Sequence, residues 1–251
     1  PAGDAEGRHT LLVFEPLRQP TQSNELAKID VSMETSQRIE ALEHELNATR
    51  EALQAYREAK DRNGLVSQRT ADKIMDLAGI APGMTVADIG AGEGYYTVRL
   101  AERVGAKGRV LAQDINRGAL DRLGERIARE RLDNVAIKEG GIDDPRLPEK
   151  SFDRIFMVHM YHEIAAPYQF LWNLHPAMKP GGRVIIVDAD RPTENHGTPP
   201  LLLQCELAAT GYRLVSFERA AFAGGYFAAF EAKTARPAPS EIKPCARQMG
   251  R

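Results

Sequence analysis

Apolar and polar residues follow three different rhythms along this chain. Between residues 24 and 62, Ile39, Leu42, Leu46, Thr49, Leu53 and Tyr56 step by 3, 4, 3, 4, 3. That is a heptad seam about three repeats long, in a proline-free stretch rich in Glu, Ala, Arg, Gln and Leu, all strong helix formers. Asn63-Gly64 then reads as a break. From Ser67 short apolar runs alternate with helical spacing. Strands are predicted at Thr85–Ile89, Arg109–Gln113, Asn134–Lys138, Phe152–Val158 and Arg183–Asp188, with helices at Thr70–Ala78, Tyr96–Val104, Ala119–Arg131 and Pro167–Met178. Near-continuous apolar strands separated by helices specify a parallel sheet covered on both faces. The third rhythm follows a helix at Pro199–Thr210. Tyr212–Phe217 and Tyr226–Glu231 are strands joined by a loop too short for a crossover, so this pair is antiparallel.

The expected fold is therefore α/β, with a doubly wound, mostly parallel seven-stranded sheet, a C-terminal antiparallel hairpin and a long N-terminal helix. Residues 1–63 form the extension, 64–235 the sheet domain, and 236–251, with Pro237, Pro239 and Pro244, an extended tail. Thr10–Phe14 reads as a short strand without a visible pairing partner. Composition narrows the picture further. In 251 residues, 43% are hydrophobic, enough for a core, and the net charge of -2 gives no global attraction to nucleic acid. No apolar run is long enough to cross a membrane. Cys205 and Cys245 lie far apart without metal-ligand spacing and read as free thiols of a reducing compartment, hence a cytoplasmic location. No basic-then-apolar leader is seen, although the chain begins at Pro1 rather than Met.

Candidate chemistry concentrates at Val86-Ala87-Asp88-Ile89-Gly90-Ala91-Gly92-Glu93-Gly94-Tyr95-Tyr96-Thr97. An apolar run ends in an acid, three alternate glycines follow, and a helix begins. Glycines let the backbone turn sharply and let a ligand approach it closely. The spacing D-x-G-x-G-x-G differs from the dinucleotide pattern G-x-G-x-x-G. It resembles the first motif of class I S-adenosylmethionine-dependent methyltransferases. That resemblance implies that Gly90, Gly92 and Gly94 pass close to the amino-acid part of the cofactor and that Asp88 helps orient it.

Later segments extend the resemblance in the expected order. Asp114 closes the second strand about twenty residues on, where an acid either accepts the ribose hydroxyl hydrogens or caps the next helix. The family assigns it to the ribose, with Ile115 against the adenine. Leu147-Pro148 followed by Ser151-Phe152-Asp153, and then Lys179-Pro180-Gly181-Gly182-Arg183, also match. Counting back from Ser151, the family's usual adenine-binding acid falls on Gly141. That is a departure, which leaves the task to Asp143 or to backbone at Ile142, or makes Asp143 a plain turn acid. The matched segments cover residues 67–232.

Ligands of open parallel sheets sit beyond the carboxyl ends of the strands. Met157-Val158-His159-Met160-Tyr161-His162-Glu163-Ile164 occupies such an end, after the fourth strand. His162 is the candidate general base, since an ordinary histidine titrates near neutrality. His159 and Tyr161 are candidate pocket-lining residues, and Glu163 orients a histidine or caps the following helix. His159 and His162 with Glu163 lack the spacing of a third metal ligand, so no metal is expected. Arg191–Gly197 is a short insertion placed to close the pocket.

The expected activity is methyl transfer from S-adenosylmethionine to a small-molecule acceptor, lipid and quinone precursors included, with no nucleic-acid partner. The heptad seam allows a homodimer. Arg38–Glu51, preceded by Leu11-Leu12-Val13-Phe14-Glu15, resembles the coiled-coil linker of chemotaxis-type methylesterase/methyltransferase hybrid sensors. An interaction module that senses the cofactor without turnover is the alternative.

Overall fold

The computed structural model describes residues 22–220, 223–233 and 235–245. The chain divides into two units, Pro1–Asn63 and Gly64–Arg251. Helix α1, Gln22–Leu77, begins in the first unit and ends in the second. The predicted break at Asn63-Gly64 does not interrupt it. A glycine inside a helix costs about 1 kcal/mol relative to alanine, and no proline stands between Pro20 and Pro82 to stop the run. Within the first unit, Ile39, Leu42 and Leu46 are about half exposed, at 51%, 58% and 50%. Thr49 donates its hydroxyl to the Glu45 carbonyl one turn back at 2.8 Å. The predicted strand at Thr10–Phe14 lies outside the described residues. So do the side chains of Leu53 and Tyr56.

The second unit is built on a seven-stranded sheet of order β3-β2-β1-β4-β5-β7-β6. Its strands are β1 Thr85–Ile89, β2 Arg109–Asp114, β3 Val135–Glu139, β4 Phe152–Val158, β5 Met178–Asp188, β6 Tyr212–Ala220 and β7 Gly225–Ala232. The first five pair in parallel, and β7 runs antiparallel to both β5 and β6. The helices are α2 Tyr95–Val104, α3 Arg117–Glu130, α4 Pro167–Leu174 and α5 Pro200–Ala209. The Lys179–Gly182 segment is absorbed into a long β5, and the end of the predicted Pro167–Met178 helix tightens into a short 3₁₀ turn at His175–Ala177. Pro176 has no N–H to continue the α-helical ladder.

Side-chain alternation places the core on both faces. In β5, Val184 and Ile186 pack with Phe170, Leu171, Leu203 and Leu207 of α4 and α5. Ile185 and Val187 pack on the opposite face with Ile74, Met75, Leu100 and Val104 of α1 and α2. Each large side chain taken fully from water contributes about 1.5–3 kcal/mol, and two buried faces explain why the strands read as continuous apolar runs.

The cysteine expectation is overturned. Cys205 of α5 and Cys245 of the tail form a disulfide across a sequence separation of 40, and no free cysteine remains. The tail is not a free arm. Trp172 Nε1 donates to the Pro237 carbonyl at 3.0 Å, the Arg236 guanidinium lies over the Trp172 ring, and the Cys245 N–H reaches the Tyr168 hydroxyl at 2.7 Å. Distance along the chain carried no information about distance in space. The pairing also removes the ground on which the cytoplasmic expectation rested. No described helix is long and apolar enough to cross a membrane.

Candidate active site

The strand order reverses between β1 and β4. The chain winds outward through β2 and β3 on one side and then returns to the other. Crevices of open sheets form at such a point, at the carboxyl ends of the strands. A cavity of about 340 Å³ occupies it, bounded by Gly90, Asp114, Ile115, Ile142, His159 and Met160, among others.

The glycine loop forms one wall. Gly90, Gly92 and Gly94 all adopt left-handed backbone, with φ of 70°, 53° and 83°. A side chain at Gly94 would meet Leu123 at 2.3 Å, whereas Gly92 faces open space. The Gly90 and Ala91 N–H groups both donate to the Gln113 carbonyl, which ties the loop to the end of β2. Asp114 completes the tie: its carboxylate accepts the Gly92 N–H and the Asn116 N–H, each at 2.8 Å. Ile115 beside it is 57% exposed and lines the cavity.

Asp88 stands behind this wall. It is buried and accepts the Thr97 hydroxyl at 2.6 Å. Burial pushes its carboxyl up to about 6, against the opposing hydrogen bonds from the Thr97 hydroxyl and N–H. It therefore answers an otherwise unpaired N–H in the first turn of α2 and braces the loop from within. It does not line the cavity.

Across the cavity the 159–164 segment separates its residues. His159, in left-handed backbone with φ of 52°, lines the cavity, and burial holds its imidazole below the usual histidine range. Tyr161, expected in the pocket, is fully buried instead, with its hydroxyl donating to Glu206 at 2.8 Å. The 3₁₀ turn Tyr161–Glu163 rotates it inward and Glu163 outward. His162 is 6% exposed and meets Asp188 Oδ1 through Nδ1 at 2.9 Å. That same oxygen accepts the Ala189 N–H, so it is an acceptor and Nδ1 carries the proton. His162 sits beside the cavity without lining it, while Glu163 lines it directly.

Asp143 does not line the cavity; it is exposed, and its carbonyl accepts from Asn173. Gly141 and Ile142 hold the place in its stead, and the Gly141 N–H is bonded to the Asp144 carbonyl at 2.6 Å. Sequence reasoning missed Gln113 and Asp188. Both stand at carboxyl ends of predicted strands, which is the signal that marks them. It also missed His196, which the insertion after β5 brings near His162, their ring centroids 5.8 Å apart.

Comparison with known proteins agrees with this fold. A family model described as a methyltransferase domain matches residues 80–213. The ubiquinone/menaquinone biosynthesis C-methyltransferase UbiE of Methylococcus capsulatus is 32% identical over 151 residues, 60% of this chain and 56% of its own. Its namesake from Idiomarina loihiensis is 31% identical over 120 residues, 47% of each chain. The chain thus spans about half the length of the curated relatives it matches. A SAM dependent methyltransferase from Aquifex aeolicus superposes with TM-score 0.58 at 27% identity, over 64% of this chain and 88% of that one. The [4+2]-cyclase SpnF shares the fold at TM-score 0.52 and 17% identity, over 60% and 59% of the two chains. Fold alone therefore does not fix the chemistry.

Proposed function

Because this chain belongs to the class I S-adenosylmethionine-dependent methyltransferases, we propose that its methyl acceptor is a small, largely apolar molecule received in the cavity between the glycine loop and α4. The observation that carries this reading is the division of the lining. Gly90, Gln113, Asp114 and Ile115 form one side, and Val158, Met160, Ile164 and Phe170 give the other an apolar character. An apolar ring compound of the class named for the Methylococcus and Idiomarina relatives suits such a wall.

The residues fit the methyl donor. Gly92 offers backbone in front of open space, Asp114 offers a carboxylate at the end of β2, and Ile115 offers an exposed apolar face. Gly90, Gly92, Gly94, Asp114 and Ile115 would hold the donor, with Asp88 bracing their loop and Gly141 and Ile142 taking the place expected of Asp143. When bound, the donor supplies an activated methyl group on a sulfonium. The protein's task is then to orient the acceptor and exclude water, a contribution that reaches several kcal/mol of the barrier, about 7–11 in the best cases. His159, which lines the cavity and whose imidazole burial holds below the usual histidine range, and His162, while its Nε2 holds no other partner, are the candidate bases for an acceptor that must lose a proton. The half-exposed seam Ile39, Leu42 and Leu46 supports pairing of α1 with a second copy of the chain.

The test is incubation with methyl-labelled S-adenosylmethionine and cell extract, beside calorimetry of cofactor binding. Label transferred to a small apolar product, with binding weakened by Asp114→Ala and Gly92→Val, supports the reading. Binding without turnover supports the cofactor-sensing alternative, and unchanged affinity in both variants overturns the assignment of the loop.

A further inference from the structure

A second group of side chains stands at the margin of the cavity, and the methyl-donor wall does not use it. His162 and Glu163 come from the turn after β4. His196 comes from the segment after β5, where it closes the short turn Thr193–Asn195 in left-handed backbone. One ligand atom from each of the three lies within 4.8 Å of the other two. His162 Nε2 is 4.0 Å from Glu163 Oε1. That is too long for a hydrogen bond. Two metal–ligand bonds of about 2.0–2.2 Å meeting tetrahedrally span about 3.3–3.6 Å, which a small rotation of the exposed Glu163 side chain reaches.

The surroundings are those of a held ligand set. With Nδ1–H committed to Asp188, the His162 lone pair on Nε2 is directed away from that carboxylate. Histidines that bind metals ordinarily donate their other ring N–H to a carboxylate in this way. The second oxygen of Asp188 accepts the Thr198 hydroxyl at 2.8 Å, and the Thr198 N–H donates to the Ala189 carbonyl. One buried carboxylate therefore secures both His162 and the segment that presents His196. The rings of the two histidines are close to perpendicular, at 78°, rather than stacked.

We propose that His162 Nε2, a carboxylate oxygen of Glu163 and one ring nitrogen of His196 bind a divalent transition-metal ion of the zinc type, with Asp188 as the outer carboxylate. Two imidazoles and one carboxylate suit zinc and its neighbours and offer too few oxygens for calcium or magnesium. Three protein ligands leave a fourth position open. Glu163 also lines the cavity. The open position is thus available to a lone-pair atom, above all an oxygen, of the acceptor, a role that rests on the cavity being the acceptor site.

Titration of the chelator-stripped full chain with Zn(II) in a calorimeter, and with Co(II) followed by visible absorption, tests the site. Wild type is expected to take up one equivalent. His196→Ala and Glu163→Gln should each weaken binding at least tenfold, and Asp188→Asn by about 10- to 100-fold, while His44→Ala, on exposed α1, binds as wild type does. Because His196 and Glu163 are exposed, their substitution spares the core, and a thermal melt checks this. Failure of wild type to bind stoichiometrically, or unchanged affinity in both variants, overturns the site whatever the acceptor is. Methyl transfer to extract that falls on chelation and returns with Zn(II), with S-adenosylmethionine binding intact throughout, supports the acceptor role. Transfer indifferent to Zn(II) overturns that role alone.

Discussion

The Asp114 carboxylate accepts the Gly92 N–H at 2.8 Å, across 22 residues of sequence. One side chain thus sets the position of the barest point of the loop and closes the end of the neighbouring strand. Asp114→Asn keeps the size but loses the charge, and its amide nitrogen cannot accept. A hydrogen bond to a charged group is worth about 1.5–3 kcal/mol. We expect Asp114→Asn to weaken S-adenosylmethionine binding by about 10- to 100-fold and Asp114→Ala by at least as much, read by calorimetry. A loss under threefold in both would contradict the role.

The loop glycines are not equivalent. Alanine at Gly94 faces both φ of 83° and Leu123 at 2.3 Å, whereas alanine at Gly92 faces only φ of 53°. Strain of this kind costs about 1–3 kcal/mol, and overpacking adds a similar amount. Urea denaturation should therefore find Gly94→Ala less stable than Gly92→Ala by about 1–3 kcal/mol. Equal stabilities would show that Leu123 gives way freely.

Asp88 predicts a pH dependence. Burial raises its folded carboxyl from 3.8 to about 6, so the folded state holds the proton more tightly than the unfolded chain. Its contribution is fully present below about pH 4 and is lost as pH rises to about 6, an effect on the order of 2–3 kcal/mol. Asp88→Asn cannot titrate. The difference in urea stability between wild type and variant should change between pH 4 and pH 6.5 and stay flat above it. A difference constant across that range would refute the shift.

How far the chain could be read in advance follows from where its information lies. Strand identities in β1, β2, β4 and β5 were legible because both sheet faces are buried and leave unbroken apolar runs. The hairpin was legible because its loop is too short to cross over. That Gly90, Asp114 and Ile115 meet around one crevice, with Gly92 tied to Asp114, was legible because their positions depend on local backbone and a strand end. Tyr161 was misread because a 3₁₀ turn reverses which residues face inward, and no periodicity reports that. Asp143 was misplaced because the family's acid is absent, and the loop offers Gly141 and Ile142 instead. His196 and the cysteine pair were invisible because their partners lie 34 and 40 residues away in sequence.

The disulfide gives a fourth expectation. Trp172, the single tryptophan of the chain, donates to Pro237 and lies under Arg236. Reduction, or Cys245→Ser, should release the tail, shift Trp172 fluorescence and speed tryptic cleavage at Lys233, since proline follows Arg236. Removing such a crosslink costs at most about 2–4 kcal/mol. Non-reducing peptide mass spectrometry would detect the Cys205–Cys245 pair directly, and free thiols there would refute it.

The N-terminal helix gives a fifth. Leu42→Glu with Leu46→Glu should convert a dimer into a monomer in light scattering while leaving cofactor affinity unchanged. A wild type that is monomeric at micromolar concentrations would dispose of pairing through this seam.

Asp188 has a consequence for evolution. Because a single carboxyl group steadies the imidazole of His162 and moors the segment bearing His196, neither histidine can shift in evolution without the other. A lineage that remodelled residues 191–197 and lost the Thr198 anchor would free one oxygen of that carboxyl group and unsettle His162 in the same stroke, so the two segments are inherited together.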